Sequence, residues 1–546
     1  MSLILVIGGY GGFGERLCHR LAAAGHELIV AGRTLAKAQG LCAQLPHARP
    51  LIMDRTREIA EVLARERPDL VIDAAGPFQD SGYQVPLACI AARVPYIDLA
   101  DSTNFVAGIE DLDEVARTAG VAVIAGASSV PALTGAVARK LAAGLDQVHA
   151  VDIALSAANR ATGGASVIAA ILSYVGQPVR VWRSGRWGKA YGWQELRRED
   201  FVLSDGSGLR GRYVAIADVP DCVLMPPGLP GHPAVTFRAG TELGFHMVAL
   251  WLASWAVRWG WLRSLTGAAP FLLPLYRLTE RIGGERSAMK IVLWGSRGKE
   301  RLERSWTIFA ERGDGLEVPT LAAEILAAEV LAGRCAPGAR TAADMLSFAQ
   351  FEPRLSKIAV RYEFAERVLR APLYRRVLGP AFDALPDAVR GLHYVNRDAG
   401  AAGEGRVERG RGLAARALAR AMGMPPEGSW PLHVAFAERD GVETWTRDFG
   451  GHRFTSELSG RAGELIERFG PIRFHFTLPA GERGLSMTLT RWTLFGVLMP
   501  RRLAPAIVAR EWEEDGRFRF DVAVAMPLAG RIVRYTGWLM PCPPVP

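Results

Sequence analysis

The apolar positions of the first 125 residues cluster in short stretches at 3–7, 28–31, 49–54, 69–75, 95–99 and 121–124, of which 3–7 is a continuous apolar run. Runs of this length without alternation predict strands buried on both faces. Between them lie amphipathic stretches. The first starts at Glu15 and puts Leu17, Leu21 and Ala22 on one side; others cover 59–65, 84–92 and 112–118. Strands alternating with helices imply βαβ units, a parallel sheet and right-handed crossovers. Ligands bind such sheets at the carboxyl ends of the strands. Those ends hold Gly8, Arg33, Asp54, Ala75-Gly76-Pro77, Asp98 to Asp101 and Gly126 to Ser128.

The pattern changes twice more. Residues 148–155 alternate like a strand, Thr162-Gly163-Gly164-Ala165-Ser166 opens a helix over 167–175, and 179–187, 201–203 and 212–216 read as strands. An Ala- and Leu-rich helix follows at 321–331. From about residue 363, helices over 364–378 and 380–393 and a Gly/Arg stretch at 400–412 lead into strands at hairpin spacing. These cover 432–437, 442–447, 453–458, 473–478, 485–489, 518–526 and 531–539. The expected fold class is α/β: a Rossmann-type doubly wound parallel sheet over 1–130, an α+β second domain over 131–360, and a mainly antiparallel β domain over 365–546, curled or closed.

Residues 243–275 stand apart. Trp251, Trp255 and Trp259 recur every four residues, with Trp261, Arg258 and Arg263 beside them. The two Arg interrupt the apolar run, so no membrane span is expected. A buried helix pair, an interfacial helix on a membrane, a homodimer face and the wall of an apolar pocket all fit this pattern. His246 reads as a core-edge residue.

Candidate chemistry concentrates in the first domain. After the first strand comes Gly8-Gly9-Tyr10-Gly11-Gly12-Phe13-Gly14, which contains both GxGxxG and GxxGxxG and leads into a helix. In that context the glycines let backbone approach a pyrophosphate, and the helix N-terminus offers it unpaired N–H groups. The second strand ends in Gly32-Arg33-Thr34. No acid stands there to bond a ribose 2′-hydroxyl, while Arg33 suits a 2′-phosphate, so NADP(H) is expected over NAD(H). Asp54, Ala75, Gly76, Pro77, Phe78 and Ser128 are further cofactor candidates from topology. Tyr83, Asp98 and Asp101 are the acid/base candidates at the strand ends. Asp at such places commonly caps the next turn.

Composition adds limits. Charged residues make up 22% and the net charge is +9, with signs interspersed and no nucleic-acid motif, so a small-molecule substrate is expected rather than nucleic acid. The six Cys are scattered without metal spacing, so no metal is expected and a reducing cytoplasm is the simplest location, peripheral to the inner membrane face on the interfacial-helix reading.

Ala74-Ala75-Gly76-Pro77-Phe78, Gly82, Cys89 and Tyr96-Ile97-Asp98-Leu99, with the glycine turn, resemble the NADP-binding domain of saccharopine dehydrogenase-like proteins. This resemblance implies an NADP-dependent oxidoreductase and a helix at 321–331 that returns to the cofactor domain. In the second domain the chain has Ser-Val-Pro-Ala-Leu at 129–133 where relatives carry a glycine, and 162–166 resemble a permuted form of their Gly-Gly-Thr-x-x-Ser turn. Residues 441–451 and 535–539 resemble a domain of unknown function appended to some bacterial members. Three functions stay open: a reductase of an apolar or lipid-derived substrate, a secondary-amine oxidoreductase as saccharopine reductases are, and a non-catalytic NADP(H)-binding scaffold or sensor.

Overall fold

A computed structural model describes residues 1–79, 81–160, 165–268, 274, 278–461, 463–527 and 529–542. The strands β1 (Leu3–Ile7), β2 (Glu27–Gly32), β3 (Ala48–Ile52), β4 (Leu70–Asp73), β5 (Tyr96–Asp98) and β6 (Ala122–Ala125) form one parallel sheet in the order β3-β2-β1-β4-β5-β6. β1, β4, β5 and β6 are almost wholly buried, as their unbroken apolar runs require. A seventh strand joins from far along the chain. Gly338–Thr341 pairs in parallel with β6, so the first domain extends beyond the expected 1–130.

The helix Val318–Leu331 brings the chain back and packs on α1 (Gly12–Ala23). Its small and aliphatic residues, including Leu321, Ala322, Ala323, Ile325, Leu326 and Ala327, are buried. Arg20 of α1 binds Glu317 at 2.8 Å and Glu324 at 3.1 Å. Arg16 adds a contact to Glu317 at 3.4 Å.

The second domain is a mixed seven-stranded sheet among the described residues. Its order is 197–202, 208–216, 234–241, 147–157, 287–297, 300–310 and 360–368. The last strand, Val360–Val368, carries this domain past its expected end. The single strand expected over 179–187 is two, Pro178–Arg183 and Arg186–Tyr191, because the chain reverses at Ser184-Gly185, both with positive φ.

The C-terminal domain closes into a barrel. Among its described residues ten antiparallel strands run from Asp398–Arg409 to Gly530–Pro541, and Ile472–Thr477 pairs with Gly484–Leu494 to seal the ring. Closure removes the open edges of so large a sheet. Aromatic side chains fill it, among them Trp445, Phe449, Phe476, Phe518 and Phe520, and leave about 90 Å³. The Gly/Arg stretch expected at 400–412 is largely a strand, Asp398–Arg409. Its glycines serve close packing: a Cβ at Gly405 would stand 2.5 Å from the Phe449 ring. At Gly400 it would meet the Ser184 carbonyl, where the 178–191 hairpin docks on the barrel. There His433 Nε2–H donates to the Ser184 carbonyl at 3.0 Å, and Asp398 accepts the Ser184 N–H.

Asp98 ends β5. It is 0% exposed, and its Oδ1 accepts the N–H of Ala100 at 2.9 Å and of Gly126 at 2.8 Å. The carboxylate ties the loop after β5 to the loop after β6 and does not reach solvent, so it braces the sheet end. Burial pushes it up to about 7, against about 3.9 for an unfolded aspartate. The folded chain therefore holds this proton more tightly, and the group's contribution to stability falls as pH rises from about 4 to about 7. Asp98→Asn keeps an oxygen for both donors and has no proton to lose. Its stability relative to the parent should rise across that window and level off above it, in thermal unfolding at a series of pH values; parallel curves would refute the assignment. Asp98→Ala should cost about 2–4 kcal/mol in mildly acidic buffer, because two buried donors lose their acceptor.

Candidate cofactor and substrate site

The turn after β1 is shaped by two close approaches. Gly8 has φ +73°, and a Cβ there would stand 2.9 Å from the Ala75 backbone. A Cβ on Gly14 would lie 2.2 Å from the Gly8 carbonyl oxygen. These positions admit only glycine, and they start α1 immediately after the strand. Gly9 and Gly12 complete the turn. Gly11 is different. Its φ is −79°, and a Cβ there would meet only the Gly8 carbonyl, at 3.1 Å. The space beyond it lies at the N-terminus of α1, whose first N–H groups have no intrahelical acceptor. An uncluttered approach to a helix N-terminus fits a dinucleotide pyrophosphate.

The Tyr10 ring lies over Gly32, and its hydroxyl accepts the Thr34 N–H at 2.8 Å, tying the turn to the end of β2. Arg33 is exposed at the same strand end. Asp54 caps the turn after β3, accepting the Thr56 hydroxyl at 2.7 Å and its N–H at 3.0 Å. Those bonds, with smaller help from Arg57 and Arg33, hold its carboxyl below the usual range.

The 75–78 loop is held by a residue that sequence reasoning missed. Arg55 binds Asp73 at 2.7 Å and the Ser81 hydroxyl at 3.1 Å, and lies 5.2 Å from the centre of the Phe78 ring. Asp73 in turn accepts the Ala75 N–H at 2.9 Å. Burial pushes the Asp73 carboxyl up despite its partner. The only signal for Arg55 was its place next to Asp54 at a strand end.

Of the acid/base candidates, Tyr83 donates its hydroxyl to the Phe105 carbonyl at 2.9 Å and tilts against that ring. It is engaged in holding the 103–107 helix. Asp101 keeps solvent access and accepts a hydrogen bond from Gln79 at 3.2 Å. The protein crowding around it raises its carboxyl, and Asp218 adds to this. Asp218 accepts the Thr103 hydroxyl at 2.8 Å and is itself raised by burial. Tyr174, stacked on Trp193 at 5.8 Å, has its phenol pushed up by burial, with Asp101 and Asp218 contributing. Asp101, Asp218 and Tyr174 thus lie within electrostatic reach of one another. Neither Asp218 nor Tyr174 carried a sequence signal.

Beside the glycine turn lies a cavity of about 200 Å³. Its wall comes from Phe13, Leu155, Ile168, Met289, Leu316 and Val318, with Ser129, Thr241, Glu285 and Ser287 as its polar groups. No Arg or Lys lines it among the described residues. Ser128 is buried, and it is its neighbour Ser129 that reaches the cavity. The expected Thr162-Gly163-Gly164 turn lies outside the described residues; the helix it opens, Ala165–Ser173, supplies Val167, Ile168 and Ile171 to the wall.

Residues 4–124 match the family described as the saccharopine dehydrogenase NADP binding domain, and residues 385–539 match a domain of unknown function, DUF4166. No curated protein matches the chain. Among solved structures, saccharopine dehydrogenase (L-Glu forming) from Saccharomyces cerevisiae is 12% identical, spans 67% of this chain and 100% of its own, and has a TM-score of 0.46. GenD2 from gentamicin A biosynthesis, in complex with NAD, is 17% identical over 54% of this chain and 70% of its own, with a TM-score of 0.27. Serine dehydrogenase from Escherichia coli is 17% identical over 22% and 80%, at 0.19. By the two family matches, the chain joins a saccharopine dehydrogenase-like nicotinamide dinucleotide-binding domain to a C-terminal domain of unknown function.

Proposed function

We propose that the protein is an NADP(H)-dependent oxidoreductase that transfers hydride to or from an apolar, lipid-derived substrate. The observation that carries this reading is the apolar cavity at Phe13 and Ser129, beside the dinucleotide turn. Apolar cavities of about 150 Å³ already admit a benzene ring. A polycarboxylic secondary amine, the runner-up substrate, calls for basic groups that this wall lacks.

The roles divide as follows. The bound nicotinamide supplies or accepts the hydride. The Gly8–Gly14 turn and α1 bind the pyrophosphate. Arg33 takes the 2′-phosphate, which selects NADP(H) over NAD(H). Arg55 sets the 75–78 loop against the cofactor. The cavity wall orients the substrate and excludes water. Asp101, accessible and with a raised carboxyl, holds or releases the proton that balances hydride transfer.

The overall reading is tested by following NADPH oxidation with a panel of long-chain ketones and enones, and NADP⁺ reduction with zwitterionic secondary amines. Turnover of the amines alone would replace it, and cofactor binding without turnover of either class would leave a scaffold. Arg33→Ala should weaken NADPH about tenfold while leaving NADH unchanged, in paired fluorescence titrations; an equal loss for both cofactors contradicts the 2′-phosphate role. Gly11→Val should fold, since φ there suits any residue, yet lose measurable NADPH binding. Unchanged affinity would make the turn purely structural. Asp101→Asn should lower kcat by about 10²–10⁴-fold with NADPH affinity retained; retained kcat would remove Asp101 from the chemistry.

A further inference from the structure

The helix Gly244–Arg258 is buried along one side by Met247, Ser254 and Val257. A surface helix places polar residues on its outer side. This one presents Phe245, Val248, Ala249 and Leu252 there, and the chain continues into exposed Trp259, Trp261 and Leu262. Phe245 is 54% exposed, Leu252 58%, Trp259 59% and Trp261 73%. A hydrogen bond between Thr279 and His246, 3.2 Å, brings the neighbouring Leu278 and Ile282 to the same region, and both are also exposed. A contiguous outward apolar surface of this kind marks an interaction site.

The charges around it select the partner. Residues 243–279 contain Arg258, Arg263 and Arg277, with Glu242 and Glu280 at their two borders, so cations outnumber acids along the segment. Arg258 is exposed, donates to the Gln194 side chain at 2.6 Å, and lies over the rings of Tyr191 at 4.2 Å and Trp255 at 5.0 Å. Arg263 is exposed too, and among the described residues neither guanidinium has a carboxylate partner. Exposed Trp flanked by cations, with apolar side chains alongside, matches the boundary between acyl chains and anionic headgroups. No helix among the described residues is long and apolar enough to cross a membrane. The protein would therefore lie on such a surface.

We propose that the face formed by Phe245, Val248, Leu252, Trp259, Trp261 and Leu262, with Arg258 and Arg263 at its edge, docks the protein on an anionic lipid bilayer. The acyl region takes the apolar side chains and lipid phosphates take the guanidinium groups. This goes beyond the hydride-transfer reading and does not depend on it.

The test is flotation of the full chain with vesicles of phosphatidylcholine alone and of phosphatidylcholine with phosphatidylglycerol, alongside light scattering to follow its oligomeric state. The parent should float with the anionic vesicles, and more weakly at high salt. The double variant Leu252→Asp/Trp261→Asp should lower binding about tenfold or more. Arg263→Gln, which touches no buried contact, should lower it about fivefold and flatten the salt dependence. NADPH titration of each variant confirms that it is folded. Failure of the parent to float with anionic vesicles overturns the proposal. So does a concentration-dependent dimer that Leu252→Asp/Trp261→Asp abolishes while lipid binding is unchanged, which would assign the face to a second copy.

Discussion

Arg20 of α1 reaches across to Glu317 and Glu324, and much of the molecule depends on that contact. Exposed ion pairs contribute little to stability. This one is partly sheltered, shared between two carboxylates, and sets a register more than it stabilises. It fixes the start of the returning helix against the helix that opens at the dinucleotide turn. Leu316, Val318 and Pro319, on either side of Glu317, are walls of the cavity, and Phe13 on α1 is another. Together with the buried packing of α1 on the returning helix, this contact holds the cofactor turn beside the substrate space. The same return delivers Gly338–Thr341 to the edge of the sheet.

The C-terminal barrel is attached by a different device. The hairpin around Ser184 presses a backbone carbonyl into a gap left by Gly400, and Asp398 and His433 satisfy the groups on either side. Arg301 of the second sheet adds a largely buried pair with Glu438 of the barrel, at 3.2 Å. Buried polar groups at a junction demand partners; Asp398, His433 Nε2 and Arg301 Nη2 have them, whereas Arg301 Nε and His433 Nδ1 do not. The barrel therefore docks by a defined, backbone-level fit, unlike a domain tethered only by a linker.

The first domain was legible because its central strands, buried on both faces, are rich in apolar residues, and the glycine turn sits where the first of them ends. Gly338-Ala339-Arg340-Thr341 is poorer in them, and its strand character comes from β6 beside it. The strand at 398–409 was hidden for the opposite reason: its glycines look like a linker until Phe449 and Ser184 are seen to need the space. Asp98 was found as a polar residue at a strand end, but its bonding to two loop N–H groups belongs to tertiary structure. The cavity was least legible. Its wall is assembled from at least five separated segments, each an ordinary apolar stretch in sequence. Of the Trp and Arg pattern at 251–263, Trp251 and Trp255 lie half-buried on the helix Gly244–Arg258, while Trp259, Trp261 and Arg263 lie exposed beyond its end, so helix periodicity placed only part of the pattern.

The late arrival of Gly338–Thr341 also bears on how the protein is made. Roughly 200 residues separate β6 from the strand that covers its edge. At about 5–20 residues per second, the ribosome needs on the order of ten to forty seconds to supply it. Through that interval Ala122-Val123-Ile124-Ala125 is an unpaired, apolar edge, the kind that recruits strands from other chains. Contacts so distant in sequence also form slowly once the chain is complete. The nascent first domain therefore carries an open edge until the second domain, which precedes Gly338–Thr341 in the chain, has been synthesised.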